Sequence, residues 1–307
     1  MKTGTGIKEI FPEEGCRICP RECGAGREEG KRGVCGVADV ILVSRAALHM
    51  WEEPCISGER GSGAVFFAGC PLHCVYCQNY EIAGGVGKVI TKQRLAEIFL
   101  ELQQKGAHNI NLVTPTHYSH LLPEVLQMAR DQGLCIPIVY NCSGYEKVDT
   151  LKKLADFVDI YLADYKYPDP QGAEKYSHAP DYPEIAWAAL EEMLRQQPEC
   201  VFDEEGILQK GVVVRHLLLP GRVKAAKQAV SQLYEAFGDR IYISLMNQYT
   251  PFERVGERYP ELSRKVTSRE YGRLLDFALE LGVENGFFQE GDTAEESFIP
   301  VFNGEGV

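Results

Sequence analysis

The chain has 307 residues, 45% of them hydrophobic, with 32 basic against 44 acidic side chains and a net charge of −12. That acidity disfavours a broad nucleic-acid surface, which needs local Lys and Arg density. No apolar run reaches the ~18 residues of a membrane span, and the first ten residues lack the apolar core of a signal peptide, so a cytoplasmic setting is expected. Eleven cysteines, seven of them before residue 75, then read as metal ligands in a reducing compartment and not as a disulfide framework.

Residues 1–60 form a cysteine-rich extension with five thiols and many Gly, Arg and Glu. Cys16, Cys19, Cys23 and Cys35 follow one another at x2, x3 and x11 spacing. Four thiols so placed could wrap one metal, with glycines giving the tight turns. Zinc and a second iron–sulfur cluster both fit this set, and the alternative is reduced surface thiols. Residues 39–50 read as a strand leading to Trp51-Glu-Glu-Pro-Cys55, where Cys55 is a buried structural thiol.

A short buried strand over 63–69 ends in a Gly turn and opens into Cys70-Pro-Leu-His-Cys74-Val-Tyr-Cys77. A 4Fe–4S cluster in a ferredoxin-type site gives each iron a thiolate. This run supplies three, which leaves one coordination position for a ligand. The other readings are a zinc knuckle lacking a ligand, or a disulfide.

From here strands and helices alternate. Helix 92–105 carries Leu95, Ile98, Phe99 and Leu102 on one face. Strand 109–113 is followed by helix 121–132, stopped by Gly133. Strand 136–140, helix 146–154, strand 157–163 and helix 183–197 come next, then strand 211–219, helix 223–236, strand 241–245, helix 268–281 and an extended 286–289. Six βα units with buried β-branched strands mean a parallel sheet. Periodicity alone does not separate an incomplete (β/α)6 barrel from a doubly wound open sheet. The barrel would span 61–290, with 291–307 an irregular tail.

In a parallel barrel the C-terminal strand ends share one face, where catalytic groups concentrate. Those ends carry Thr114-Pro-Thr116-His117-Tyr118, Asn141-Cys142-Ser143, Asp164-Tyr-Lys166, Arg215-His216 and Met246-Asn247-Gln248-Tyr249. Asp164 suits an ammonium or ribose hydroxyls, and Lys166 a carboxylate. Arg215, inside an apolar strand, must face a carboxylate of the ligand or of Asp164. His117 is the candidate acid–base group, with a packed, satisfied histidine as the alternative.

Cys70-x3-Cys74-Val-Tyr-Cys77 after a short apolar strand resembles the signature of radical S-adenosylmethionine (radical SAM) enzymes. The resemblance implies a partial (β/α)6 barrel, a 4Fe–4S cluster on Cys70, Cys74 and Cys77, and S-adenosylmethionine chelated at the open iron. It implies reductive cleavage to a 5′-deoxyadenosyl radical that abstracts hydrogen, with a reductant such as flavodoxin or ferredoxin. Cys16-x2-Cys19-Pro-Arg-x-Cys23-Gly, the 46–55 run and Cys74-Val-Tyr-Cys77-Gln-Asn are similar to an activase-like subfamily near pyruvate formate-lyase activating enzyme. That likeness implies a glycyl radical enzyme as partner, and Asp164, Lys166, Arg215, Asn141 and Thr116 around the cosubstrate. Thr116-His117-Tyr118 stands where activases carry Gly-Gly-Glu, Asn141 where they carry an acid, and Gln248-Tyr249 where they carry Tyr-His. Two other functions compete: a radical SAM enzyme acting on a small molecule or RNA, and a non-catalytic iron–sulfur electron carrier with Cys55 as fourth ligand.

Overall fold

The computed structural model describes residues 15–289 and 300–307. In chain order it contains β1 (Ile41–His49), α1 (Pro54–Ser57), β2 (Ser62–Phe67), α2 (Tyr80–Ala83), β3 (Lys88–Ile90), α3 (Lys92–Gln104), β4 (Ile110–Val113), α4 (Leu122–Asp131), β5 (Ile138–Cys142) and α5 (Val148–Lys152). There follow β6 (Ile160–Asp164), α6 (Pro170–Ser177), α7 (Tyr182–Gln196), β7 (Val201–Phe202), β8 (Leu208–Leu217), α8 (Val223–Phe237), β9 (Tyr242–Met246), α9 (Glu253–Gly256), α10 (Ser268–Leu281) and β10 (Gly286–Phe288).

The helices form where the apolar spacing places them. Thr91 caps α3 by accepting from Arg94 N at 3.1 Å, and Leu95, Ile98, Phe99 and Leu102 are all buried against the sheet. The α10 helix opens with a capping box, Thr267 and Glu270 each accepting from the other's backbone N–H. Three expected strands, 136–140, 157–163 and 241–245, slide toward their C-terminal ends. Pro137 has no N–H to give a ladder, so regular pairing of the third expected strand begins at Ile138, while the Pro137 carbonyl accepts from Ile110 N at 2.9 Å.

The strand order is β10-β9-β8-β6-β5-β4-β2-β1-β3, with β7 on β8. From β2 to β10 every neighbouring pair is parallel. The six expected βα units are therefore present, followed by a short seventh strand. The expectation that did not include an antiparallel edge is extended here: β1 runs antiparallel to β2, and β3 antiparallel to β1. The boundary drawn at residue 60 thus passes through one continuous sheet. Of the tail, 300–307 lies along β1, with Ala46 N donating to Glu305 O at 2.9 Å and Arg45 paired to Glu305 at 2.9 Å. Residues 1–14 of the extension and 290–299 lie outside the described residues.

The sheet is curled. Phe66, Val113, Asn141, Asp164, Leu217, Met246 and Gln289, from successive parallel strands or their ends, line one cavity of about 300 Å³. Seven strands laid flat would span about 29 Å at ~4.8 Å per step, too far for one such cavity. The convex face carries the helices, in an apolar layer that includes Tyr140, Tyr161, Val214 and Ile243. The concave face holds a second cluster, Val139, Ile160, Leu162, Leu208 and Val213, closed by Cys55 and Ile56 of α1. The segment after β1 is therefore a plug inside the barrel, and Cys55 is the buried structural thiol its sequence suggests.

Gly69, just after β2, has φ +91°, and a Cβ there would meet Cys35 O at 2.7 Å and His117 Nε2 at 2.9 Å. Gly133 has φ +102° with nothing within 4 Å. Gly133→Ala is expected to cost about 1–2 kcal/mol of backbone strain. Gly69→Ala is expected to cost more, because backbone and a buried ring must also move. Denaturant midpoints of the two variants measure the difference.

Candidate metal and cosubstrate site

The three cysteines of the 70–77 loop stand together at the mouth of the cavity, which Cys70, Cys74 and Cys77 all line. The loop leaves β2 through Gly69 and turns at His73, whose φ is +53°. It is tied down from several sides. Cys70 N donates to Cys35 O at 3.0 Å, Val75 N to Tyr176 O at 2.9 Å, and His73 Nε2 lies 2.7 Å from Val34 O. Tyr76 points away from water and meets Tyr167, Tyr176 and Tyr249 edge-on, with centroids 6.3 to 6.5 Å apart. Ser177 Oγ donates to Cys74 Sγ at 3.1 Å. Burial pushes the Cys70 thiol up to about 11 and the Cys77 thiol up to about 12. Metal loading at Cys70 and Cys77 would have to overcome that upward push and release their protons.

Below the thiols the barrel interior is charged. Arg215 from β8 donates through Nε to Asp164 Oδ1 at 2.8 Å, through one terminal nitrogen to Glu52 Oε2 at 3.2 Å, and through the other to Asn141 Oδ1 at 2.7 Å. Asn141 Nδ2 and Asn111 Nδ2 both donate to Glu52 Oε1, at 3.1 and 3.0 Å. Lys166 Nζ stands 2.5 Å from Asp164 Oδ2. Glu53 is buried beside this layer, and its Oε2 has no partner. Burial alone would raise Asp164, but Arg215 and Lys166 hold its carboxyl below the usual range. Burial raises Glu52 and Glu53, against the pull of Arg215. Three buried carboxyls thus face two cations, and burial pushes two of the three, Glu52 and Glu53, toward their neutral forms.

The structure places the sequence candidates unequally. Asn141, Asp164, Lys166 and Arg215 line the cavity with the thiols. Arg215 faces Asp164, as its apolar strand requires, and also Glu52. Lys166 is paired with Asp164, its neighbour two residues away. Thr116 lies elsewhere: it is buried, and its Oγ1 donates to Glu146 Oε1 at 2.6 Å. Thr114, held at φ +58°, lines the cavity from that strand end instead. His117 is also buried and does not line the cavity. Its Nε2–H donates to Ala68 O at 2.8 Å, Nδ1 has no partner, and burial pulls its pKa down to about 3. It packs as a neutral structural imidazole rather than as the acid–base group.

Glu52 is the site residue that sequence reading passed over. Two adjacent acids in Trp51-Glu-Glu-Pro-Cys55 look like a solvated turn, and only the insertion of α1 into the barrel turns them inward. The N-terminal cysteines do converge. Cys16, Cys19 and Cys35 are buried and Cys23 half-buried, and Cys23 Sγ and Cys35 Sγ flank the bare Cα of Gly33. Among the described residues, no three His, Cys, Asp or Glu side chains meet the geometry of a single bound ion. Likewise, no helix there is long and apolar enough to cross a membrane.

Three free thiols stand at the mouth of a parallel barrel, above a charged interior, with space for a ligand beside them. Residues 64–221, just over half of the chain, match the model of the radical SAM superfamily, and the chain belongs to that superfamily. Membership implies an enzyme with a 4Fe–4S cluster and S-adenosylmethionine. The chain is similar to an uncharacterized protein of Methanocaldococcus jannaschii, 27% identical over 279 residues, covering 88% of this chain and 75% of the relative. It is also similar to a candidate glycyl-radical enzyme activating enzyme of Haemophilus influenzae, 29% identical over 117 residues, covering 36% of this chain and 43% of the relative. Among solved structures, an FeFe-hydrogenase maturase from Carboxydothermus hydrogenoformans aligns with a TM-score of 0.41 and 16% identity, covering 76% of this chain and 59% of that one.

Removing Arg215 should leave the buried Glu52 without a charged partner and Asp164 with Lys166 alone. Arg215→Met is expected to lose about 3–5 kcal/mol, and Arg215→Lys less, since an ammonium keeps the charge but not the three-way fork; chemical denaturation ranks them. Glu146, buried under Thr116 and Tyr140, is raised by burial to about 8 from an ordinary 4.5. Between those values the folded chain holds a proton that the unfolded chain has lost, so stability falls as pH rises through that window. Glu146→Gln should flatten this slope in thermal denaturation run from acidic to mildly basic pH.

Proposed function

We propose that this protein cleaves S-adenosylmethionine reductively and uses the resulting radical to abstract hydrogen from a protein partner, with glycyl radical formation on a partner enzyme as the leading case. One observation carries the reading: the three thiols and the Glu52–Asn141–Asp164–Arg215 layer face the same cavity. Cys70, Cys74 and Cys77 would hold the cluster. With S-adenosylmethionine bound at its open iron, the cluster supplies the electron that breaks the sulfonium to methionine and a 5′-deoxyadenosyl radical.

The chain's own residues do the rest. A layer with more carboxyls than cations suits the sulfonium and ammonium of such a ligand. Asp164 and Glu52 are the carboxyls such a cation would meet; Arg215 and Lys166 hold Asp164 ionised, and Arg215 orients Glu52 while pulling against the burial that raises it. The tyrosines around Tyr76 keep water from the thiolates on the side away from the cavity. A cavity of about 300 Å³ lies at the lower end for one small ligand. The cosubstrate fills it, and the substrate reaches it from the mouth, as a loop of a partner protein would. The partial likeness to the Haemophilus influenzae protein points the same way. The electron-carrier alternative needs Cys55 as a fourth ligand, yet Cys55 lies in the barrel floor with Ile56 and Val139. A flavodoxin or ferredoxin as reductant and a cytoplasmic setting belong to the same proposal, and the four N-terminal thiols are read as a second metal site.

Anaerobically iron-loaded protein with dithionite should convert S-adenosylmethionine to 5′-deoxyadenosine and methionine, and Cys74→Ala should reduce this to background. With a glycyl radical enzyme whose glycines carry deuterium, label should appear in 5′-deoxyadenosine. Turnover without any deuterium transfer from protein would reassign the substrate to a small molecule or RNA, and no cleavage at all would overturn the proposal.

A further inference from the structure

The N-terminal thiols sit in surroundings that a set of free cysteines does not explain. Arg27 is 1% exposed, and among the described residues no carboxylate bonds it. Its guanidinium donates to His117 O at 3.0 Å, to Ala38 O at 3.1 Å and to Cys16 Sγ at 3.7 Å, while Nε has no partner. A buried guanidinium needs negative charge nearby. Asp39 supplies part of it through space; neutral thiols add none, whereas four metal-bound thiolates would. Gly33 supplies a second sign. A Cβ on it would stand 3.3 Å from Cys23 Sγ and 3.4 Å from Cys35 Sγ, so the chain keeps this spot bare between two sulfurs.

The segment is also built onto the other cysteine loop. Arg21, between Cys19 and Cys23, donates from Nε to Pro71 O at 2.9 Å and from a terminal nitrogen to Ser177 O at 2.8 Å. The Cys35 carbonyl accepts directly from Cys70 N at 3.0 Å. From Cys35 Sγ to Cys70 Sγ the path is therefore seven covalent bonds and one hydrogen bond. A zinc knuckle has no use for such a path.

We infer that Cys16, Cys19, Cys23 and Cys35 hold a second iron–sulfur cluster, fully thiolate-ligated, which relays electrons to the cluster at Cys70, Cys74 and Cys77. The balance is one electron in and one out. An external one-electron donor reduces the second cluster, which returns to its oxidised state as it reduces the first. The Arg27 N–H on Cys16 Sγ stabilises the more negative, reduced state and so raises its potential. This relay feeds the radical chemistry proposed above but rests on separate residues.

The test uses full-length protein assembled anaerobically with iron and sulfide. Wild type should hold about eight irons and no zinc, and the Cys70/Cys74/Cys77→Ala triple variant about four. Reduced with dithionite, the triple variant should show one electron paramagnetic resonance signal. Wild type should show two signals broadened by mutual coupling, and Cys16→Ala/Cys19→Ala only the signal that responds to S-adenosylmethionine. Arg27→Met should shift the reduction midpoint of the triple variant's signal downward. About four irons plus one zinc in wild type overturns the inference, whatever the variants do. So does a triple variant that folds, by circular dichroism, but holds no iron. Eight irons with no cleavage of S-adenosylmethionine would leave this inference standing and sink the proposed function instead.

Discussion

Arg215 is the constraint on which the interior depends. One guanidinium, placed in the middle of an apolar strand, bonds Asp164 on the neighbouring β6, Asn141 on β5 and Glu52 on the inserted plug. In a low-dielectric interior such a charge is tolerable only if every direction it points finds a partner. Meeting that demand brings three strands and the plug to one level of the barrel and aims their polar groups at the cavity. The same ions that make the layer costly to bury fix its register, because no one-residue slip of β5, β6 or β8 would keep all three bonds.

The thiol loop is held by a different means. It makes few contacts with charges and many with backbone carbonyls and aromatic rings. The N-terminal segment reaches it through Arg21 and the Cys35 carbonyl, α6 through Tyr176 and Ser177, and the loop after β9 through Tyr249. These elements are far apart in sequence, yet each contacts the same eight residues. The loop is thereby tied down from several sides by the fold itself.

Much of this was legible in the sequence, and what was missed has physical reasons. The βα alternation was readable because strands buried on both faces are continuous apolar runs and the helices show their period. The cysteine spacing was readable because thiol chemistry needs few companions. Asp164, Lys166 and Arg215 were readable because charge is conspicuous at a strand end or inside a strand. Glu52 was not, since its role comes only from the plug entering the barrel. Thr116 and His117 were misplaced because the chain turns at Thr114 with positive φ, which hands the cavity to Thr114 and buries the next residues. The edge strand β1 was recognised as a strand, but the antiparallel pairing that joins it to the sheet is a tertiary fact that no local pattern carries.

Among the described residues, the plug closes one end of the barrel. Cys55 and Ile56 seal that end against Val139, Leu162 and Val213, so on that side the chamber is a dead end. Two ligands that share it cannot pass one another: the deeper must arrive before the shallower, and on the way out the sequence reverses. Residence of the inner ligand is then governed by the departure of the outer one. Whatever sits at the doorway becomes the clock for everything behind it.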